Sequence, residues 1–206
     1  MTSTQQMARD ERGDFAAFLE GLTPEQWDSP TLCEQWRVRD VAIHTVSFDE
    51  LSTSGLVRRF LRGRLSTDGI NAVGVADYAD RTPGQIVAMI RTNTEPTALT
   101  GGFGGRIALT DGMIHQQDIR RPLGIPRTID AQRLCTALEF ARFAPTIRGA
   151  WRARGVRLAA TDLDWSHGKG DEVCGTGEAL LMAMAGRAAA LDDLEGPGKA
   201  KLARHI

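Results

Sequence analysis

Asp111, His115 and Asp118 stand at i, i+4 and i+7 in the run Asp111-Gly-Met-Ile-His-Gln-Gln-Asp-Ile-Arg-Arg-Pro-Leu-Gly124. On a helix this spacing stacks the three side chains on one face, about a turn apart. Ile107 and Ile114 share the stripe, so the face is expected to turn inward. A carboxylate and an imidazole one turn apart on a half-buried face can share a divalent metal. Upstream, Asp40 precedes His44 by one turn in a segment where Val41, His44, Phe48 and Leu51 share a face. Two separate helices are thus expected each to present an Asp-x-x-x-His pair toward the interior.

The elements that must hold these pairs follow from periodicity and capping. Phe15, Phe18, Leu19 and Leu22 recur at helical spacing, which predicts a first amphipathic helix from about Thr4 to Gly21. Thr23-Pro24-Glu25-Gln26 is a cap, a proline at the first helical position and a capping-box glutamine, enough for a short turn before Ser29-Pro30. A long helix is expected from Val38. Residues 63–81, rich in Gly, Ser, Asp and Asn, read as a loop with one irregular turn. Thr82-Pro83-Gly84-Gln85 opens a third helix through Ile86, Val87 and Ile90, and Gly101 to Gly105 reads as a flexible connection. That glycine run lacks the Gly-Lys-Ser/Thr of a phosphate loop. The fourth helix carries the Asp111 motif and ends at Arg120-Arg121-Pro122-Leu123-Gly124, with cations against the negative end of the dipole and then a breaker. Asp130 caps a fifth helix with a stripe of Phe140, Phe143, Ala144 and Ile147.

After Arg154-Gly155 the pattern changes. Val156 to Ala160 and Asp162 to Gly168 read as two short strands around a turn, with a third near Glu172 to Cys174. Thr176 caps a last helix reaching about Leu191, and the tail from Gly196 carries no clear pattern. The reading is a mainly α chain, with a helical bundle over residues 1–152 and a small α+β domain over 153–206. At that size the second domain would be marginal alone.

Composition bounds the function. The chain has 206 residues and a formal net charge of -1, with no basic run interleaved with aromatics, so nucleic acid is not an expected partner. The stretch Ala179 to Leu191 is too short to span a bilayer, and the polar N-terminus is not a secretory signal. Cys33, Cys135 and Cys174 are far apart and odd in number, which fits a reducing cytoplasm. They read as small apolar fillers, and Trp27, Trp36 and Trp151 as core or interface aromatics. His167 reads as exposed, and His205 as part of a fraying tail.

Four pieces in order carry a resemblance: Thr31-Leu-Cys-Glu-Gln-Trp-Arg-Val-Arg-Asp-Val-Ala-Ile-His44, Asp111-x-x-x-His115, Asp118-Ile-Arg-Arg-Pro-Leu-Gly124, and Trp165…Gly175…Leu-Leu-Met-Ala-Met-Ala-Gly-Arg187. From about residue 10 to 190 the chain resembles the mycothiol-dependent maleylpyruvate isomerase family, within the DinB-like metal-binding four-helix bundles. The resemblance implies a bundle holding a divalent metal, usually zinc, on His44, Asp111 and His115. It also implies a smaller C-terminal domain resembling sterol carrier proteins. Asp111 stands where the family enzyme usually has Glu and is one methylene shorter. An arginine from the C-terminal domain is implied at the site, and Arg187 is the match. Mycothiol is the implied thiol cosubstrate.

Three protein ligands leave a zinc ion with an open position, the catalytic arrangement. A thiol there is deprotonated by the metal's charge, and its thiolate can isomerise a double bond by adding and leaving, or attack an electrophile and stay attached. Arg187, Arg120 or Arg121 could clamp an anionic group through paired N–H donors, although the last two also suit pairing with Asp118 and the helix end. Asp40 and Asp118 read as outer partners of the histidines or as helix-end residues. The expected function is a cytoplasmic, metal-dependent isomerase or S-transferase, monomeric or homodimeric, acting on a small electrophile with a low-molecular-weight thiol. The alternative is a non-catalytic DinB-like protein that binds a metal or small ligand.

Overall fold

The structure is a computed structural model that describes residues 2–97 and 99–206. The chain forms two compact units, Met1–Pro126 and Arg127–Ile206.

The first unit is all helical: α1 (Thr4–Glu20), α2 (Pro24–Trp27), α3 (Val38–Val46), α4 (Thr53–Arg62), α5 (Thr67–Ala76), α6 (Pro83–Thr92) and α7 (Arg106–Leu123). Four of these make the bundle: α1 packs on α6 and α7, and α3 packs on the same two. Each helix contributes the apolar face that its sequence predicted. Phe15, Ala16 and Leu19 of α1, Val38, Val41, Ala42, Ile43 and Val46 of α3, Ile86, Val87 and Ile90 of α6, and Ile119 of α7 bury together with Trp27. Full burial of the Phe, Leu, Ile and Val side chains among these stabilises by roughly 1.5–3 kcal/mol each. Capping follows the sequence as well. Thr23 and Thr82 each accept from the backbone three residues on, and Gln26 and Gln85 return the bond. Gly124 ends α7 in the left-handed conformation, at φ 65°, which glycine adopts without a Cβ penalty.

Three expectations are corrected in this unit. The helix from Val38 stops at Val46, and a separate amphipathic helix, α4, follows. Residues 63–81 are not a loop, because α5 occupies most of them, capped by the Ser66 side chain on Gly69 N–H. The glycines there are packing contacts: a Cβ on Gly63 would lie 2.5 Å from Ile70 N, and one on Gly69 would lie 2.3 Å from Gly63 O. Nor is the connection before α7 left loose. The Asp49 carboxylate accepts from Thr97 N–H at 2.9 Å, Thr97 Oγ1 at 3.2 Å and Thr100 Oγ1 at 2.5 Å, and pairs with buried Arg12 at 2.8 Å.

The second unit contains α8 (Ala131–Ala141), α9 (Gly149–Arg152), β1 (Val156–Ala160), β2 (Ser166–Gly168), β3 (Asp171–Gly175), α10 (Gly177–Met184), a 3-10 turn (Ala188–Asp193), β4 (Leu194–Glu195) and α11 (Lys199–Ala203). The sheet order is β2-β1-β3-β4, with β1 antiparallel to β2 and parallel to β3. Helix α8, expected with the bundle, packs here against α10. The stripe extrapolated through Phe143 fails because α8 ends at Ala141, and Phe143 is exposed. Trp151 is also exposed rather than core, flanked by the guanidinium groups of Arg148 and Arg154 at 4.7 and 4.1 Å. The last helix stops well before Leu191, where Gly186 turns the chain at φ 85°. The tail folds as α11, and His205 Nδ1 lies 2.9 Å from Arg152 O. No helix among the described residues is long and apolar enough to cross a membrane.

Candidate metal centre

Helices α3 and α7 bring His44, Asp111 and His115 to one place. Asp111 Oδ1 lies 4.0 Å from His44 Nε2 and 3.5 Å from His115 Nε2, and one donor atom from each residue falls within 4.8 Å of the others. The two imidazole rings meet edge to face with centroids 4.8 Å apart. Both rings are buried, whereas the Asp111 side chain is 41% exposed. The trio therefore has one open edge, at Asp111, rather than forming a sealed interior cluster. The shorter aspartate side chain reaches both rings.

Two imidazole nitrogens and a carboxylate are the donor set that zinc and similar divalent ions accept, so these residues fit the ion that the sequence implies. The surrounding groups add two observations. His115 Nδ1, the ring nitrogen turned away from Asp111, is 2.9 Å from Asp118 Oδ2, and that carboxylate is wholly buried. Such a bond leaves the Nε2 lone pair for a metal once the ring is neutral. His44 Nδ1, by contrast, is buried with no hydrogen-bond partner among the described residues. That ring is held by packing, with Trp36 at 5.0 Å and Phe48 at 6.4 Å between centroids.

The protonation pattern without metal follows from these contacts. Burial pushes the His44 ring down to about 4, and His115 and Arg59 act the same way against Asp111 and Asp118. Burial opposes charge on His115 too, but there the attraction and hydrogen bond of Asp111, with the bond of Asp118, prevail and hold its pKa well above the usual value. Burial would raise Asp111, yet His115, His44 and Arg12 outweigh it and bring the carboxyl to about 2. The centre is thus a neutral ring, a charged ring and a carboxylate.

The remaining expected residues divide. Asp40 does not face His44: its Oδ2 accepts from Arg37 N–H at 2.9 Å and caps the start of α3, so α3 contributes a histidine without its aspartate. Arg120 stacks on the Phe18 ring at 3.8 Å and donates to Gln116 Oε1 at 2.9 Å, which ties α7 to its neighbours. Arg121 lies half-buried in the last turn of α7. Arg187 belongs to the second unit, where it donates to Ala185 O at 2.8 Å and lies near Arg152, whose pKa it lowers along with burial. Cys33 was read as a filler, and the geometry corrects this: its Sγ is 3.0 Å from Asp118 Oδ2 and 3.6 Å from His115 Nδ1.

Comparison with known proteins bears on the fold. Residues 8–91 match the family model of the mycothiol maleylpyruvate isomerase N-terminal domain, a span that includes Cys33 and His44 and ends before α7. A crystal structure of a histidine-to-alanine mutant of the mycothiol-dependent maleylpyruvate isomerase is similar at TM-score 0.62 and 14% identity, over 97% of both chains. A crystal structure of the mycothiol-dependent maleylpyruvate isomerase is similar at TM-score 0.54 and 11% identity, again over 97% of both. No curated protein matches the chain. Residues 8–91 are therefore similar to the mycothiol maleylpyruvate isomerase N-terminal domain, in a chain that shares the fold of the mycothiol-dependent maleylpyruvate isomerase.

Proposed function

We propose that this chain is a cytoplasmic, metal-dependent enzyme that uses mycothiol, with His44, Asp111 and His115 holding a divalent metal, zinc by its donor set. The observation that carries the reading is the convergence of two buried imidazoles on one half-exposed carboxylate oxygen, at 4.0 and 3.5 Å. When bound, the ion supplies positive charge that favours the thiolate form of a ligating thiol, whose free pKa near about 8.5 otherwise leaves it mostly protonated at neutral pH.

The chain's own residues do the rest. Asp111 stays ionised and offers its negative charge at the open edge, the side from which a thiol and a small electrophile approach. Asp118 holds the Nδ1 proton of His115 and keeps Nε2 directed at the centre. Trp36 and Phe48 wall the His44 ring. Arg121 is the proposed cation for an anionic group of the thiol or the substrate. Arg120, bonded to Gln116 and stacked on Phe18, serves helix packing. The activity is thiol-assisted cis–trans isomerisation or S-transfer to the electrophile.

Metal analysis of freshly purified protein, followed by thiol consumption against a panel of electrophiles, tests the reading. One ion per chain and mycothiol-dependent turnover are expected. An ion with no turnover would leave a binding protein, and a chain that takes up no divalent metal would end the metal reading.

A further inference from the structure

The two imidazoles sit on different helices, yet a single six-residue turn outside both helices touches the surroundings of each. The turn runs from Thr31 to Trp36. Its base is closed by a bridge between Pro30 and Arg37. Thr31 Oγ1 accepts from Cys33 N–H at 3.1 Å and donates to Trp36 O at 2.9 Å. Gln35 is held at φ 66°, a conformation that costs a non-glycine residue and persists where neighbours impose it. At one end of the turn the Trp36 ring packs on His44. At the other, Leu32 N–H donates to Asp118 O at 3.0 Å, and the Cys33 thiol donates to Oδ2 of the same residue, also at 3.0 Å.

Asp118 Oδ2 therefore accepts two bonds, from Cys33 S–H and from His115 Nδ1. These separations are those of hydrogen bonds. Ligands sharing a tetrahedral ion at bonds of about 2.0–2.3 Å would stand about 3.3–3.8 Å apart, further than the 3.0 and 2.9 Å that separate Asp118 Oδ2 from Cys33 Sγ and His115 Nδ1. Because the Asp118 side chain is wholly buried, it has no access to bulk solvent to replace a donor that is lost. With one bond gone, the carboxylate is held by fewer contacts, and the ring that it orients is held less closely with it.

We infer that Cys33 is a positioning residue: its S–H bond to Asp118 fixes the carboxylate that aims His115 at the metal. The inference rests on the proposed metal centre and deepens it. It requires the thiol as a hydrogen-bond donor, not as a nucleophile or a ligand.

Cys33→Ala and Cys33→Ser test it in the full chain, with circular dichroism and thermal melting to confirm the fold. Cobalt(II) affinity is measured by chelator competition, and the His115 ring nitrogens are observed by 15N NMR in the metal-free protein. Removal of a partner outside the ligand shell typically weakens metal binding about 10–100-fold, so Cys33→Ala is expected to lose about 10-fold. Cys33→Ser, which keeps a donor, is expected to stay near wild type. The His115 Nδ1 signal should shift in the alanine variant and return in the serine variant. Unchanged affinity in Cys33→Ala, or a serine variant as weak as the alanine one, would overturn the inference. Should wild type bind no cobalt, the metal reading fails by itself. The Nδ1 signal then decides the positioning role alone, and a signal indifferent to both substitutions overturns it.

Discussion

His115 is gripped from both sides of its ring, by Asp111 Oδ1 at 3.5 Å from Nε2 and by Asp118 Oδ2 at 2.9 Å from Nδ1. One carboxylate is 41% exposed and the other is fully buried, and this asymmetry assigns them different work. The exposed one can move toward an ion, whereas the buried one is fixed and can only orient.

Asp118→Asn should separate orientation from charge. The amide presented to Nδ1 either keeps the acceptor and loses the charge, or turns its N–H₂ toward the ring and loses both. Metal affinity is expected to fall about 10–100-fold while the melting temperature changes modestly. Chelator competition reads the first and calorimetry the second. An unchanged affinity would mean that Asp118 serves α7 and not the ring.

His115→Ala removes one of the three proposed metal ligands. Metal binding should be lost while far-UV circular dichroism keeps the helical signal, because Ala has the highest intrinsic helix propensity. Collapse of the helical signal instead would identify His115 as a fold residue.

The metal-free charge pattern sets two pH dependences. His115 is held charged well above its usual range, and a metal needs the neutral ring, so binding must release that proton. Affinity should therefore rise with pH, by up to about tenfold per unit below the ring's folded pKa. Stability of the metal-free protein moves differently. The raised His115 stabilises fully below its unfolded value and loses that contribution as pH rises through its folded one. The depressed His44, at about 4, contributes above about 6.5 and loses that as pH falls through about 4. Asp111, at about 2, contributes above its unfolded value of 3.8 and loses that on further acidification. Urea midpoints from pH 3 to 9 should peak near neutrality and fall on both sides. A metal affinity that is flat between pH 6 and 8 would contradict the charged His115.

The helices that carry the site were legible because each buries one continuous stripe: α1, α3, α6 and α7 could be placed from Phe15, Val41, Ile86 and Ile114 and their neighbours. The His44, Asp111 and His115 grouping depended on the resemblance, since periodicity tells which face is buried but not which faces meet. The same limit explains α8, whose stripe is real but packs on α10. Asp40 misled because an acid one turn before a histidine is equally what a helix start needs. Cys33 was invisible as a donor because its acceptor, Asp118, lies 85 positions away on another element.

Arg12 and Asp49 form a buried pair, with side chains 6% and 0% exposed, that ties α1 to the connection between α3 and α4. Breaking a buried pair on one side leaves an uncompensated charge and costs about 3–5 kcal/mol. Arg12→Met should therefore lower stability by about that amount, as read from urea denaturation. It should also speed amide hydrogen exchange at Thr97, whose N–H is bonded to Asp49. A loss below about 1 kcal/mol would show that the pair is balanced by other contacts.

Gly63 tests whether the junction of α4 and α5 is as tightly built as its contacts say. Its φ is -77°, an angle any residue adopts, so alanine meets no backbone strain there and its effect reports on space alone. The added Cβ would fall 2.5 Å from Ile70 N, 2.6 Å from Ile70 Cα and 2.7 Å from Ile70 Cγ1. Two of those three atoms are backbone, so a rotamer change cannot relieve the clash and α5 must shift. Overpacking of this kind costs about 1–3 kcal/mol, and Gly63→Ala should lie at the upper end. Gly84, where the same Cβ meets nothing within 4 Å, is the control. Gly84→Ala should gain several tenths of a kcal/mol from helix propensity and lower unfolded-state entropy. Equal urea midpoints for the two variants would show that residues 63–70 are open rather than packed.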